Sequence, residues 1–443
     1  MSEAGSPPLR WTFTLETLTP AFIGGATPRQ VDRVSPLRPP SIRGVLRHWF
    51  RMGMAAVLGS RDETERKERL EELHTLEQLL FGSTERASVV VILPPRGGSP
   101  IKYGPQDLPI PPQGSGLRYL GYGVFDGKGD HFSAWRADGN TPITLTIGLR
   151  RTPPPKPAPE KAESDSKEKP IKLDRDLAPQ ALMASLWLWL NLGGIGARTR
   201  RGWGALRVTR VEGTPAWGGP AFDVIPPDLM SLLKNLSDGV DASMAVFRRF
   251  AQAHLQGFVV PAREARPDPR LRTLAGIDRF RVLPVTFKKA SDAMEAVGSL
   301  FLDYRSTLRR NAMRLPPHRD YFEVKDALIG RNEAPREIMR TAFGLPLPFY
   351  FRSLQGAKGT LRPDKFGSDR MPSPLLFRIH RVSKEQFCVV MLNLAETKGT
   401  TPLAGVEVEL KGGRTGIPGP DGAILIDFMR WASQEARLRY PEK

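Results

Sequence analysis

Cysteine is almost absent: Cys388 stands alone in 443 residues, which excludes an intrachain disulfide framework and a multi-thiolate zinc site. A cytoplasmic protein is expected. Histidine is also scarce, with six residues and no two of them spaced as metal ligands, so no Ser-His-Asp arrangement can be argued and neither metal nor cofactor is expected. Long apolar runs are missing as well. The longest, Ala181 to Leu192, is broken by Ser185 and Asn191 and falls well short of the roughly 20 residues that span a bilayer. Met1 to Pro8 lacks the charged start and apolar stretch of a signal peptide. The last shortage is of acid: 47 Asp plus Glu against 65 Lys plus Arg leave a net charge of +18, an excess that seeks anionic partners.

What is present suffices for two or three packed domains, since 40% of the residues are apolar. Residues 152–170 combine proline with charges of both signs and almost no apolar side chains, and read as a mobile insertion within a folded unit. A turn-rich cluster beginning at Gly213 marks the boundary between an N-terminal domain, 1–212, and a C-terminal domain, 213–443. The first contains a strand (Trp11 to Thr17), helices (Ser41 to Leu58, Glu63 to Leu80), strands (Ser88 to Leu93, Ile143 to Arg150), a helix (Leu177 to Leu192) and a strand (Ala205 to Val211). That order predicts an α+β, ferredoxin-like domain with an antiparallel sheet. A helix closed by Phe-Gly and followed by a strand occurs once in each half, LEQLLFG and later EIMRTAFG. The repetition predicts two fused domains of one plan. In the second half, helices are expected at Asp292 to Arg310 and Ala423 to Arg437, and strands near Phe280 to Phe287 and Cys388 to Asn393.

Two segments concentrate the charge. In LRPPSIRGVLRHWFR, Leu37 to Arg51, Pro39 and Pro40 keep the chain extended, Ser41 is placed to cap a helix, and Arg43, Arg47 and Arg51 fall on one row at i, i+4 spacing. Beside a helix N-terminus such a row binds phosphates. A salt-bridged helix face is the plainer reading, although the segment contains no acid. In GGIGARTRRGWGALRVTR, Gly194 and Gly196 permit positive φ, while Arg198, Arg200 and Arg201 crowd the loop tip as an anion cradle. A Walker A end is absent, and the loop runs helix to strand, the reverse of the nucleotide-binding motifs. Leu37 to Arg51 and Arg198 to Arg210 together hold nine arginines and no acid. Trp203 either stacks on a base or sits in a core. The loop from LTPAFIGG toward Ser41 carries Arg29 and Arg33 as well as Arg38, and the lone carboxylate Asp32, a turn residue or, in a rival reading, the metal-binding acid of an endoribonuclease. His48 would serve that rival as a base, or else sits in the core.

LTPAFIGG, LRPPSIRGVLRHWFR, LEQLLFGS and GGIGARTRRGWGAL together resemble the RAMP superfamily, in particular the family of first subunits of type III-B CRISPR-Cas (Cmr) complexes. AFGLPLPF and SPLLFRIHR extend the likeness into the second half. The resemblance implies two fused ferredoxin-like, RRM-like RAMP domains and a non-catalytic subunit near the 3′ end of the guide RNA. Its implied partners are guide (CRISPR) RNA, single-stranded target RNA and the other Cmr subunits. It further implies an RNA-binding cleft lined by Ser41, Arg43, Arg47, Gly194, Gly196, Arg198, Arg200 and Arg201.

Overall fold

The structure, a computed structural model, describes residues 9–25, 31, 36–59, 63–104, 108–125, 132–150, 171–215, 217–259, 274, 279–305, 319–329, 338–364, 370–394, 407–411, 417 and 422–441. The insertion expected at 152–170, Arg29, Asp32 and Arg33 lie outside these residues. The first half runs Leu9–Thr17 (β1), Pro39–Leu58 (α1), Glu63–Phe81 (α2), Val90–Ile92 (β2), Ser99–Tyr103 (β3), Gly116–Leu120 (α3), Phe132–Arg136 (β4), Ile143–Leu149 (β5), Leu177–Leu192 (α4) and Leu206–Glu212 (β6). Apolar residues alternate along β1, so Trp11, Phe13 and Leu15 point into the core. β1 lies between β5 and β6 and β2 pairs with β5, all antiparallel, giving the order β2-β5-β1-β6. This is the ferredoxin-like arrangement, with α1 and α4 as its two crossover helices. The hairpin β3-β4 and α3 are an excursion between its second and third strands.

The second half runs Leu229–His254 (α5), Phe280–Val282 (β7), Ala290–Arg305 (α6), Asp320–Leu328 (α7), Leu347–Phe351 (β8), Ala357–Asp364 (β9), Leu375–Val382 (β10), Gln386–Asn393 (β11), Glu407–Lys411 (β12) and Ala423–Arg439 (α8). Its main sheet has the order β10-β11-β7, with α6 after the first strand and α8 after the third. These are the first five elements of the first unit, in the same spatial order. A separate sheet, β12-β9-β8, packs with α7 around Phe349, Phe351 and Leu361.

Two local expectations are corrected. The helix expected in EIMRTAFG is a single 3-10 stretch, Met339–Phe343, whose first backbone N–H groups are held by the Asp320 carboxylate. α1 begins at Pro39, so Arg38 and not Ser41 is its N-cap. The two prolines suit the first helical positions because the missing N–H groups have no intrahelical acceptor there; the same fact leaves fewer N–H donors at that end for an anion. One helix, α5, was not anticipated from the sequence. It packs on α1 and α4 in the first core. That cover, with the sheet beneath, explains why α4 is buried on nearly every side.

Candidate nucleic-acid interface

The glycine-rich loop leaves α4 at Gly193 and enters β6, and the segment after β1 holds it down. Ala197 N–H donates to Phe22 O (2.7 Å) and Gly204 N–H to Pro20 O (2.9 Å), while the Thr19 hydroxyl donates to Gly202 O (2.7 Å) and accepts from Ala205 N–H (2.9 Å). Glycine is required at two crossings. At Gly196 (φ +83°) a β-carbon would lie 2.5 Å from Phe22 O, and at Gly204 (φ +65°) 1.9 Å from Ile195 O. Gly194 is buried, its carbonyl accepting from Trp189 Nε1 at 3.0 Å. The exposed tip is therefore Gly196, Ala197 and Arg198. Arg198 is itself left-handed, with φ 62°, and its guanidinium reaches over Gly123.

The neighbouring arginines turn inward. Arg200 donates to Ser373 O. Arg201 donates to Leu375 O and Phe343 O, both at 3.2 Å, and its guanidinium lies 4.7 Å from the ring centre of Phe301 and 5.6 Å from that of Phe377. Burial, with Arg305 nearby, pushes Arg201 down to about 9. From the other side, Arg378 of β10 donates to Leu190 O (2.7 Å) and Asn191 O (3.2 Å), capping carbonyls that α4 leaves open at its C-terminus, and to Leu206 O at the start of β6. A carboxylate completes the seam: Glu295 of α6 accepts from Gly116 and Leu117 N–H, both at 2.7 Å, where Gly116 and Gly298 bring α3 and α6 into backbone contact. Trp203 is buried against Phe22, Tyr103 and Phe125. Of its two sequence readings, the core one is the finding.

On α1 the arginine row forms as expected, but its environment differs. Arg43 donates to Val90 O (3.3 Å), and burial, then Arg47 and Arg150, lower its pKa. Arg47 donates to Phe81 O (3.0 Å) and Gly82 O, and Glu77 of α2 pairs with both Arg47 (3.4 Å) and Arg51 (2.8 Å). The acid missing from the local sequence arrives across the helix pair. Arg38 and Ser41 are exposed beside this row. His48 joins the two segments: burial first, then Arg200 and Arg51, push it down to about 4. It is neutral at pH 7 and sits against Trp49, which supports its core reading. The arginine row of α1 and the glycine-rich loop therefore approach each other at His48, between Arg51 and the inward-turned Arg200. Among the described residues no three His, Cys, Asp or Glu side chains cluster to hold a metal ion.

Sequence reasoning missed Glu77, Glu295 and Arg378. Only Arg378 carried a signal, as a lone arginine inside the apolar strand LLFRI, where a buried cation must find carbonyls or acids.

Residues 14–207 match the sequence profile of the RAMP superfamily. The chain is 28% identical over 203 residues to the CRISPR system Cmr subunit Cmr1-2 of Pyrococcus furiosus, a match covering 44% of this chain and 93% of the relative. Among solved structures it is similar to Cmr1 from Pyrococcus furiosus in its apo form, at 16% identity and a TM-score of 0.47 over 88% of each chain. It is also similar to a chain of the Type III-B Cmr-beta complex bound to cognate target RNA, at 13% identity and a TM-score of 0.49, covering 96% of this chain and 100% of the other.

Proposed function

We propose that the chain is a non-catalytic RNA-binding subunit of a cytoplasmic type III-B CRISPR ribonucleoprotein, seated near the 3′ end of the guide RNA beside the other Cmr subunits, where it helps hold guide and target. The observation that carries this reading is the set of exposed basic and polar groups at the start of α1 and at the tip of the glycine-rich loop, Arg38, Ser41 and Arg198, within the segment that matches the RAMP superfamily. The kinship of the first half with a Pyrococcus Cmr subunit supports the assembly. Arg38, Arg43, Arg198 and the exposed Ser41 supply backbone contacts to phosphates, and Gly196 allows close approach. Base pairing between guide and target supplies the sequence specificity. Arg200 and Arg201 act at one remove, by fixing the loop.

The test is fluorescence anisotropy of single-stranded RNA across a salt series, with the same samples then run on a denaturing gel. Replacing Arg38 and Arg198 by Ala should weaken binding across all sequences and flatten the salt slope by about 0.7 per lost phosphate contact. An unchanged slope refutes the assigned surface. RNA cut by the purified chain, with cutting lost in Asp32→Ala or His48→Ala, refutes the non-catalytic role.

A further inference from the structure

A cavity of about 430 Å³ lies between the two units, where the end of β1, the hairpin β3-β4 and the buried Trp203 face the start of α6 and the turn side of β10-β11. That volume suits one nucleotide-sized ligand. Its walls are flat and apolar, with Tyr103, Trp203 and Phe387 beside Leu18 and Met294. Among these walls three polar groups have no hydrogen-bond partner among the described residues. The Trp203 indole N–H is fully buried without an acceptor. The Tyr103 ring packs against Phe22, Phe125 and Trp203 and its hydroxyl makes no hydrogen bond among the described residues, and Glu16 uses only Oε2, in a long 3.8 Å pairing with Arg207. A buried N–H without an acceptor is rare enough in folded proteins to need an explanation. The second carboxylate of the lining, Asp138, is already occupied by the N–H groups of Asn140 and Thr141 and by the Thr141 hydroxyl.

The rim has the opposite character. Arg136, paired with Asp138 at 3.8 Å, and Arg381, which donates to Lys384 O, also line the cavity, and Ser291, in the first turn of the sixteen-residue helix α6 beside Asp292, follows the exposed Lys288 and Lys289. An apolar slot with one open carboxylate and two open donors, under a cationic rim at a helix N-terminus, matches a nucleobase with its phosphate outside. Guanine is the base whose edges answer that set. Its adjacent N1–H and N2–H donate to one carboxylate, while O6 and N7 accept from an indole N–H and a phenol. Adenine offers no adjacent pair of donors on that edge.

We propose that this cavity binds a guanine nucleotide, held by Glu16, Trp203 and Tyr103, with its phosphate at the Arg136, Arg381 and α6 rim. Two sources share that chemistry, an unstacked guanosine of bound RNA and a free nucleotide, and the first rests on the RNA-binding reading above. The test uses the full chain, titrated calorimetrically with GMP and AMP and by anisotropy with an all-adenosine RNA and the same RNA carrying one central guanosine. GMP should bind at least tenfold more tightly than AMP. Glu16→Gln should abolish that preference, and Ser291→Trp, an exposed change at the mouth that leaves the Glu16 pairing intact, should block GMP while both variants keep all-adenosine RNA affinity.

If the guanosine tightens RNA binding in the parent chain and not in the variants, the ligand is RNA-borne; if only GMP responds, the site takes a free nucleotide. Both results support the site. No preference for GMP and no effect of the guanosine overturn it, while all-adenosine RNA still tests the RNA-binding surface by itself. Conversely, GMP binding without any RNA binding upholds the cavity and refutes the subunit function.

Discussion

Glu295→Ala isolates the seam between the two units. In the parent chain, Oε1 accepts from Gly116 N–H (2.7 Å) and from the Ser299 hydroxyl (2.9 Å), and Oε2 accepts from Leu117 N–H (2.7 Å). The carboxylate thus caps a five-residue helix in the other unit, one too short to persist without tertiary support. Hydrogen bonds to a charged group contribute about 1.5–3 kcal/mol each, and lost caps cost about 0.5–2 kcal/mol. Because these groups are only partly buried, we expect a loss of about 2–4 kcal/mol. Native-state hydrogen exchange reads this directly: at about 1.4 kcal/mol per tenfold, protection at Gly116 and Leu117 should fall roughly 30- to 700-fold. Glu295→Gln keeps one acceptor but aims an NH₂ at the second backbone N–H, so it should fall between parent and Ala. Exchange at those amides unchanged in Glu295→Ala would refute the cap. A Gln variant as weak as Ala would refute the two-oxygen geometry.

Two further predictions follow from the charges. Burial pushes Asp320 up to about 6 from 3.8 and pushes His48 down to about 4 from 6.5. Between pH 4 and 6 the folded chain binds the Asp320 proton more tightly than the unfolded chain, so stability from that group is lost as pH rises; for His48 the unfolded chain binds the proton more tightly, so stability is lost as pH falls. Each is worth about 3 kcal/mol, and the two slopes oppose. His48→Gln should therefore be less stable to urea at pH 6.5 than at pH 4.5, and Asp320→Asn the reverse; parallel profiles would contradict both assignments. Glu77→Gln releases Arg47 and Arg51 from their shared carboxylate. On the proposed RNA surface it should tighten binding several-fold at low salt, with the gain vanishing at high salt, and weaker binding in anisotropy would count against that surface.

The first unit was legible because its signals are local. Alternation in β1, the apolar periodicity of α1 and the uniformly apolar α4 each name an element type, and their order names the ferredoxin-like plan. The second unit was harder for a physical reason: β7 is three residues long and the Phe-Gly turn is a 3-10 stretch, so neither repeats long enough to show a period. The loop was recognised by its glycines, and Gly196 and Gly204 do adopt positive φ. What the sequence could not reveal was direction. Arg198, Arg200 and Arg201 are nearly adjacent, yet the first is exposed and the third lies between two phenylalanine rings. Likewise, an acid-free stretch is no guarantee of unpaired cations, because Glu77 reaches Arg47 from another helix.

The division of labour within this one loop bears on how its charge acts. If all three arginines faced solvent, each phosphate contact would have to order a long side chain on a mobile glycine-rich turn, at a cost that offsets much of the electrostatic gain. Instead Arg200 and Arg201 fasten the loop to Ser373, Leu375 and Phe343 of the second unit, and Thr19 and Phe22 fasten it to the first. The tip at Gly196 and Arg198 is thereby held in place before any ligand arrives. Removing Arg201 should consequently weaken RNA binding through loss of loop order, with the salt slope retained, whereas removing Arg198 should change the slope itself. Comparing the two slopes separates an anchor from a contact, and a slope that changes equally in both variants would show that the inward arginines reach the RNA after all.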